Sequence, residues 1–246
     1  MRNIAPDKVA EYTAFMNDAG KKFSQSRIAS GEIKGWLHLQ LTGILTSTAG
    51  FNYVTVATTD KPPELVIPPG AWDAHAKKAG FNTAAEYGAK MRSFGPMVRQ
   101  EVTRVRNRLG DANVGDFIRV AYNTIAADHL NERLAWLNEY AAPLNQMRIQ
   151  DPNGAVRGWG VSTIVLPAGE EATYTYSTSV VLKNSAAVVQ GPGPMSEADF
   201  KKAHPNKNFN TYVIANTRWQ SMQKLEKVRV YKVLDKVGGL PQVSQR

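Results

Sequence analysis

Residues 4–28 read IAPDKVAEYTAFMNDAGKKFSQSRI, and residues 125–149 read IAADHLNERLAWLNEYAAPLNQMRI. Aligned without a gap, the 25 positions share nine identities: Ile4/Ile125, Ala5/Ala126, Asp7/Asp128, Glu11/Glu132, Ala14/Ala135, Asn17/Asn138, Gln25/Gln146, Arg27/Arg148 and Ile28/Ile149. Chance at ordinary composition gives roughly two. After a two-residue insertion at Pro152 and Asn153 the register resumes, with Gly35-Trp36 on Gly158-Trp159 and Tyr53 on Tyr176. Farther on, Lys77-Lys78-Ala79 falls on Lys201-Lys202-Ala203. Met97, Glu101, Arg104 and Val105 then fall on Met222, Glu226, Arg229 and Val230. The order holds over nearly the whole chain, so the sequence reads as a duplicated domain of about 120 residues rather than a short-period solenoid. The repeats are placed at 1–114 and 115–246.

Each copy predicts the same elements. Val9, Tyr12, Met16 and Phe23 recur at helical intervals, as do Leu130, Leu134, Leu137, Ala141 and Leu144. Asp7 and Asp128 stand where an N-cap or first-turn acid belongs. Strands are expected at 33–45 and 156–166, then at 52–58 and 173–182. Pro68-Pro69-Gly70 and Gly191-Pro192-Gly193-Pro194 lead into short helices over 71–78 and 196–203. Longer helices follow over 83–94 and 210–224, and Gly95-Pro96 ends the first of them. Closing strands are expected at 102–108 and 228–234, and the second copy has a clear opening strand at 117–122.

The order is β-α-β-β-α-β, the ferredoxin-like motif. Helices cover one side of such a sheet and leave the other in need of a partner, so two copies are expected to pack sheet against sheet. The first copy departs from the pattern. Met1-Arg2-Asn3-Ile4 aligns with Tyr122-Asn123-Thr124-Ile125, so most of its opening strand is missing. A bare sheet edge is a liability, and the favoured reading is a natural start farther upstream. A lost segment there could include a secretory signal, so the compartment stays open and export is compatible.

Composition sets the outer limits. The chain has 246 residues, 43% apolar and 21% charged, and no cysteine. That excludes a disordered chain, a disulfide scaffold and any thiolate zinc or iron–sulfur site. No apolar run nears the roughly 18 residues of a membrane span. The 30 Lys+Arg and 21 Asp+Glu give a net charge of +9, of which residues 1–116 carry +4 and residues 117–246 carry +5. No arm or tail gathers the excess. The densest basic stretches, Lys201, Lys202, His204 and Lys207 and then Lys224, Lys227, Arg229 and Lys232, are not interleaved with stacking aromatics. They read as solvated faces, with phosphate contacts the lesser reading, and the positive field favours anionic small molecules or an anionic surface.

Within this order, Gln25-x-Arg27-Ile28 … Gly31-x-Ile33-Lys34-Gly35-Trp36 is matched by Gln146-x-Arg148-Ile149 … Gly154-x-Val156-Arg157-Gly158-Trp159. The doubled pattern resembles the dimeric α+β barrel superfamily, specifically tandem members near the antibiotic-biosynthesis-monooxygenase-like group. The resemblance covers most of the chain and rests on a structural motif. It implies an α+β fold, two ferredoxin-like repeats packed as a pseudo-dimeric barrel, with the first strand of repeat one truncated. Relatives include cofactor-independent oxygenases of polyphenols, haem-degrading enzymes, haem peroxidase-like proteins and isomerases, so the fold alone selects no activity.

The stretch from Gly35 to Thr42 alternates, with Trp36, His38, Gln40 and Thr42 on one face and three leucines on the other. The split suggests that the leucines meet the helices and the Trp36/His38/Gln40 face looks into the barrel. The second copy offers Trp159, Val161, Thr163 and Val165 with no histidine, so a polar site is expected in copy one. His38 is the candidate catalytic residue, because imidazole titrates near neutrality and can move protons or bind metal. The plainer alternative is a buried, hydrogen-bonded sheet residue. His75, His129 and His204 have polar neighbours and read as solvent-facing.

Arg104 and Arg229 hold equivalent strand positions, with Arg106, Arg108 and Arg119 nearby. They could clamp a carboxylate or phenolate, against the alternative of salt bridges or edge charges. Arg27 and Arg148 are expected to pair structurally with Glu101 and Glu226. Tyr53, Tyr174 and Tyr176 are ligand hydrogen-bonders or plain strand aromatics. Trp36, Asn52 and Tyr53 match residue types that cofactor-free oxygenases of the superfamily set around a phenol-like substrate, but no family motif maps onto them residue by residue. Asn17 and Asn138 read as structural. No zinc, two-His-one-carboxylate, phosphate-loop or nucleophile-elbow spacing occurs.

The leading expectation is a protein binding a small anionic or aromatic ligand between two sheets, with Trp36, Gln40, Tyr53, Arg104, Trp159, Tyr176 and Arg229 as ligand-binding candidates. The second is a cofactor-independent monooxygenase-like enzyme on an aromatic or enolisable substrate. There Trp36 and Tyr53 pack the substrate, His38 is the base, and Arg104 or Arg229 stabilises the anion. The third is a haem-associated protein with His38, His75 or His204 as axial ligand. The sequence calls for no cofactor, with haem left open, and for no metal. The expected partner is a small molecule, without nucleic acid or membrane span, and a homodimer is left open.

Overall fold

The computed structural model describes residues 1–43, 50–62, 68–167, 171–191 and 195–239. The first half of the chain gives α1 (Val9–Phe15), α2 (Lys21–Ala29), β1 (Gly35–Leu41), β2 (Tyr53–Thr58), α3 (Asp73–Lys78), α4 (Ala84–Ser93) and β3 (Val102–Gly110). The second half gives β4 (Phe117–Thr124), α5 (Ala127–Trp136), α6 (Ala142–Gln150), β5 (Val156–Leu166) and β6 (Tyr176–Leu182). It ends with α7 (Ser185–Gln190), α8 (Glu197–Ala203), α9 (Phe209–Met222) and β7 (Lys224–Gly238). The fold is α+β with antiparallel strands, as expected. Met16–Gly20 and Leu137–Ala141, at matching positions of the two halves, are π-helical and join α1 to α2 and α5 to α6. Each predicted first helix is therefore one helical run with a π turn in its middle.

The chain forms two compact units. The first comprises Met1–Thr42, Ser47–Gln100 and Tyr231–Pro241, and the second Gly43–Thr46, Glu101–Val230 and Gln242–Arg246. β3, which follows the first half in sequence, thus packs in the second unit, and the end of β7 packs in the first.

In the first unit β1 is antiparallel to β2 on one side, with Gln40 opposite Tyr53, and to β7 on the other, with His38 opposite Asp235. The opening strand is reduced to Arg2, which bridges Tyr53 and Met97. Trp36 and Tyr53 pack with Tyr12 and Met16 of the first helical run and with Met91 and Phe94 at the end of α4. Ala19, Phe23, Ala76 and Ala79 join α2 to α3. The Thr83 hydroxyl caps α4 by accepting from the Glu86 amide at 3.2 Å. The helix stops before Gly95, where a Cβ would stand 2.0 Å from the Asn3 carbonyl oxygen, so only glycine lets the two backbones pass.

The alternation in β1 is as read, but its faces are exchanged. Trp36 and Tyr53 pack beneath α1 and α4, so the Trp36/His38/Gln40 face is the helix side and not a hollow one. Leu37 and Leu39, 3% and 5% exposed, lie on the opposite face. Both faces are buried, so hydrophobicity could not orient the strand. The bulky aromatic set fills the gap between sheet and helices.

In the second unit the strand order is β7-β4-β6-β5-β3. Its first four members are the closing, opening, third and second strands of one ferredoxin-like motif. β3 runs antiparallel along β5, from Val102 opposite Leu166 to Gly110 opposite Gly158. Trp159, Val161 and Tyr176 of the sheet pack with Ile125, Leu134, Leu137 and Trp219. Helix α7 was not expected. Asn184 caps it by accepting from the Ala187 amide at 2.9 Å, and Ala187 and Val188 pack on Val156, Leu182 and Val230. β7 is longer than expected at both ends, while β6 starts three residues later than expected, at Tyr176. The predicted strand end at Leu45 and the Pro192–Pro194 stretch lie outside the described residues. No helix among the described residues is long and apolar enough to cross a membrane.

Candidate functional site

The β1 alternation and the helical spacing of Tyr12 bring one polar group into an aromatic enclosure in the first unit. His38 is 0% exposed. Its ring centroid lies 6.0 Å from that of Trp36 and 5.6 Å from that of Tyr53, both in stacked orientation, and Tyr12 meets it edge-on at 5.4 Å. Neither ring nitrogen has a hydrogen-bond partner among the described residues. Burial drives the imidazole pKa down to about 4, with the Asp235 carboxylate across the ladder opposing the shift. Asp235 Oδ1 is itself bound by Lys21 Nζ at 2.9 Å. His38 is therefore a neutral imidazole at pH 7, with a lone pair and an N–H both unspent.

Trp36, Gln40 and Tyr53 stand with it: the Gln40 amide reaches the Tyr53 hydroxyl at 3.4 Å. Burial raises the Tyr12 phenol well above its ordinary value, with Arg2 opposing, so this hydroxyl stays protonated. Asn52 is spent on structure, its Oδ1 accepting from the Ile4 amide at 2.8 Å and its Nδ2 donating to the Ile4 carbonyl at 2.6 Å.

The remaining candidates belong to the second unit. Trp159 and Tyr176 are buried in its helix–sheet core. Arg104 is exposed, whereas its counterpart Arg229 is 8% exposed with its guanidinium carbon 5.7 Å from the Tyr122 ring. Arg106 donates to Thr163 Oγ1 at 3.0 Å, and burial lowers Arg108 to about 10 against the pull of Asp111. The Tyr174 hydroxyl donates to Glu101 at 2.9 Å.

Two expectations are corrected by these side chains. His75 and His204 are buried rather than solvent-facing, because each turns inward to a partner. His75 Nδ1 meets Ser26 Oγ at 2.9 Å and its Nε2 lies 3.2 Å from Glu32, while His204 Nε2 meets the Tyr140 carbonyl at 3.0 Å. Only His129 keeps a half-exposed position. Arg27 pairs with Glu32 at 2.6 Å instead of Glu101, stacks 4.6 Å from the Trp72 ring, and shares Glu32 Oε1 with the Trp72 N–H at 2.9 Å. Burial pushes the Glu32 carboxyl up, but these hydrogen bonds and the Arg27 charge outweigh it and hold it low. Sequence reading missed this cluster. The serine–histidine–carboxylate order is that of an activated nucleophile. Here the carboxylate is shared by Arg27 and Trp72, and the network clamps α2 to α3.

None of the three histidines considered as a haem axial ligand is presented for that role. Both nitrogens of His75 are engaged, His204 is tied to a backbone carbonyl, and His38 is enclosed by three rings. No group of three or more metal-ligating side chains occurs among the described residues. An open groove of about 740 Å³ runs beside the reduced opening strand, lined by Arg2, Lys8, Arg92, Phe94 and Met97 among others. Arg2 donates there to the Gly95 carbonyl at 2.9 Å, and burial lowers its pKa.

No protein-family model matches the chain, and no curated protein matches it. Among solved structures, it is similar to a "putative monooxygenase" from Fusobacterium nucleatum, with a TM-score of 0.56 and 11% identity over 100% of this chain and 95% of that one. It is similar also to a "putative monooxygenase" from Lactobacillus acidophilus, with a TM-score of 0.58 and 11% identity over 97% of this chain and 94% of that one. Identity this low carries the fold alone: an α+β fold with antiparallel strands.

Proposed function

We propose that the chain binds a small aromatic or enolisable molecule against the Trp36/His38/Tyr53 face of the first unit and oxidises it without a cofactor, His38 taking the proton. The observation that carries this reading is the cost of His38 set beside its counterpart. Where the first half buries an imidazole with both nitrogens unpaired, the second half buries Val161, 1% exposed, at the aligned position. The fold thus has a cheaper residue for that place. An unpaired buried polar group costs about 1–3 kcal/mol, and a use for the imidazole accounts for its retention. The resemblance to monooxygenase-like proteins, and the description of both structural neighbours, agree with this reading.

The chemistry follows from the enclosure. A phenol or enol stacked on Trp36 and Tyr53 passes its proton to the unspent nitrogen of His38. The imidazole is a weak base while the site is empty and a stronger one with the new anion beside it. The anion is electron-rich and reacts with dioxygen, one oxygen atom entering the substrate and the other leaving as water. Tyr12 closes over the ring, so entry requires α1 to shift. The π turn that follows it is the place where the helical register has slack.

Oxygen consumption with a hydroquinone tests the reading. The wild-type chain is expected to consume oxygen and yield the hydroxyquinone, and H38V to lose at least about 100-fold of the rate while melting as a folded protein. Undiminished turnover in H38V, or no turnover in the wild type with any hydroquinone or enolisable ketone, overturns it.

A further inference from the structure

Helix α5 carries two donors into the core of the second unit that the described residues leave unanswered. Arg133 is 4% exposed. Its guanidinium carbon lies 4.7 Å from the Trp136 ring centroid and 5.6 Å from that of Trp219. Its Nε donates to the Tyr176 hydroxyl at 3.2 Å, and that hydroxyl donates in turn to Gln223 Oε1. Nη1 of Arg133 and Nε1 of Trp136 are buried and have no acceptor among the described residues. No described carboxylate forms an ion pair with Arg133. Taking a guanidinium out of water is repaid only by a counter-charge with good geometry, and none is supplied by the described residues of the unit.

The first half shows that the packing does not demand these groups. Arg133 aligns with Tyr12 and Trp136 with Phe15, and Trp219 lies in register with Phe94. There the three rings close on one another, Tyr12 at 5.6 Å and Phe15 at 5.2 Å from Phe94. The same helix–sheet gap is filled in one unit by three aromatic rings and in the other by a cation and an indole, each with a buried N–H donor left without an acceptor among the described residues.

We infer that Arg133 and Trp136 form a recognition site for the carboxylate of a small aromatic acid, whose oxygens accept from Arg133 Nη1 and Trp136 Nε1. The surroundings favour an aromatic body for the acid. Trp136 is stacked on Tyr140 at 5.4 Å and on Tyr212 at 5.7 Å, and it is only partly buried, so the row of rings leads from the surface to the cation. A second cation stands close: burial raises the Tyr212 phenol, and Arg148 and Arg133 together oppose the rise. Sharing one oxyanion between a guanidinium and an indole N–H gives charge-assisted bonds at both ends.

Calorimetric titration of the full chain with sodium benzoate tests this, with benzamide as the uncharged control and inorganic phosphate as the plain anion. Benzoate is expected to bind, and benzamide and phosphate to bind at least about tenfold more weakly. R133M should abolish benzoate binding. W136F keeps a ring and loses only the N–H, and should weaken binding several-fold with its melting temperature little changed. No heat with benzoate up to about 10 mM, equal binding of benzamide or phosphate, or undiminished binding to W136F overturns the inference. Should R133M fail to fold, W136F decides alone.

Discussion

A buried imidazole with neither nitrogen paired weakens the fold, and it does so most steeply where it would take up a proton. His38 has a pKa of about 4 in the folded chain against an ordinary value of 6.5. Between those values the unfolded chain binds the proton and the folded chain does not, so stability rises with pH across the window. The full contribution is present above about pH 6.5, and roughly 3 kcal/mol is lost as pH falls to about 4. H38V, the aligned residue of the other half, is expected to remove that slope and to raise the melting temperature at neutral pH by a few degrees. Urea unfolding of both proteins from about pH 7 to about pH 4 measures it, and an unchanged slope in H38V assigns the acid sensitivity elsewhere. Of this site, the sequence shows the alternation and the histidine present in one copy only. It does not show which face meets the helices, because Trp36 and Leu37 are equally buried. Nor does it show that Arg27 turns to Glu32, five positions on, since that choice is made by the turn after α2.

Among the elements, β5 is legible to the residue, because Trp159, Val161, Thr163 and Val165 alternate with Gly160, Ser162 and Ile164. β7 is not, because Lys224, Glu226 and Lys236 at its ends read as solvated chain, and α7 is too short for a 3.6-residue period to show. The end of β3 gives the sharpest element-level prediction. Gly110 has φ +67°, and a Cβ there would stand 2.1 Å from the Arg157 carbonyl oxygen on the neighbouring strand. Gly80 also has positive φ, at +89°, but faces open space. G80A should cost about 1 kcal/mol, the left-handed strain alone. G110A should cost that and a separation of β3 from β5 besides, about 3 kcal/mol or more. Thermal melts of the two variants compare them, and equal losses would show that the strand contact does not matter.

At the scale of the whole molecule, the units are not the halves of the sequence. β3 comes from the first half and lies on β5, while the last residues of β7 come from the second half and lie on β1. A fragment of residues 1–114 therefore lacks the strand that covers one edge of β1, and a fragment of residues 115–246 lacks the strand that covers β5. Each is expected to be unfolded or aggregated alone, and an equimolar mixture to regain the amide spectrum of the intact chain by nuclear magnetic resonance. A well-dispersed spectrum from either fragment alone would contradict this.

β7 is one uninterrupted strand of 15 residues, counted with the second unit as far as Val230 and with the first from Tyr231 onward. Its burial does not alternate strictly: Arg229, Val230 and Tyr231 are buried in succession, Lys232 is exposed, Val233 is buried, and the register with β1 shifts between Val233 and Asp235. Adding or removing one residue at the seam would turn every later side chain to the opposite face, carrying Lys232 inward and Val233 outward. A single-residue length change here is therefore tolerable only where a bulge restores the phase, as the shift at Leu234 already does once against β1.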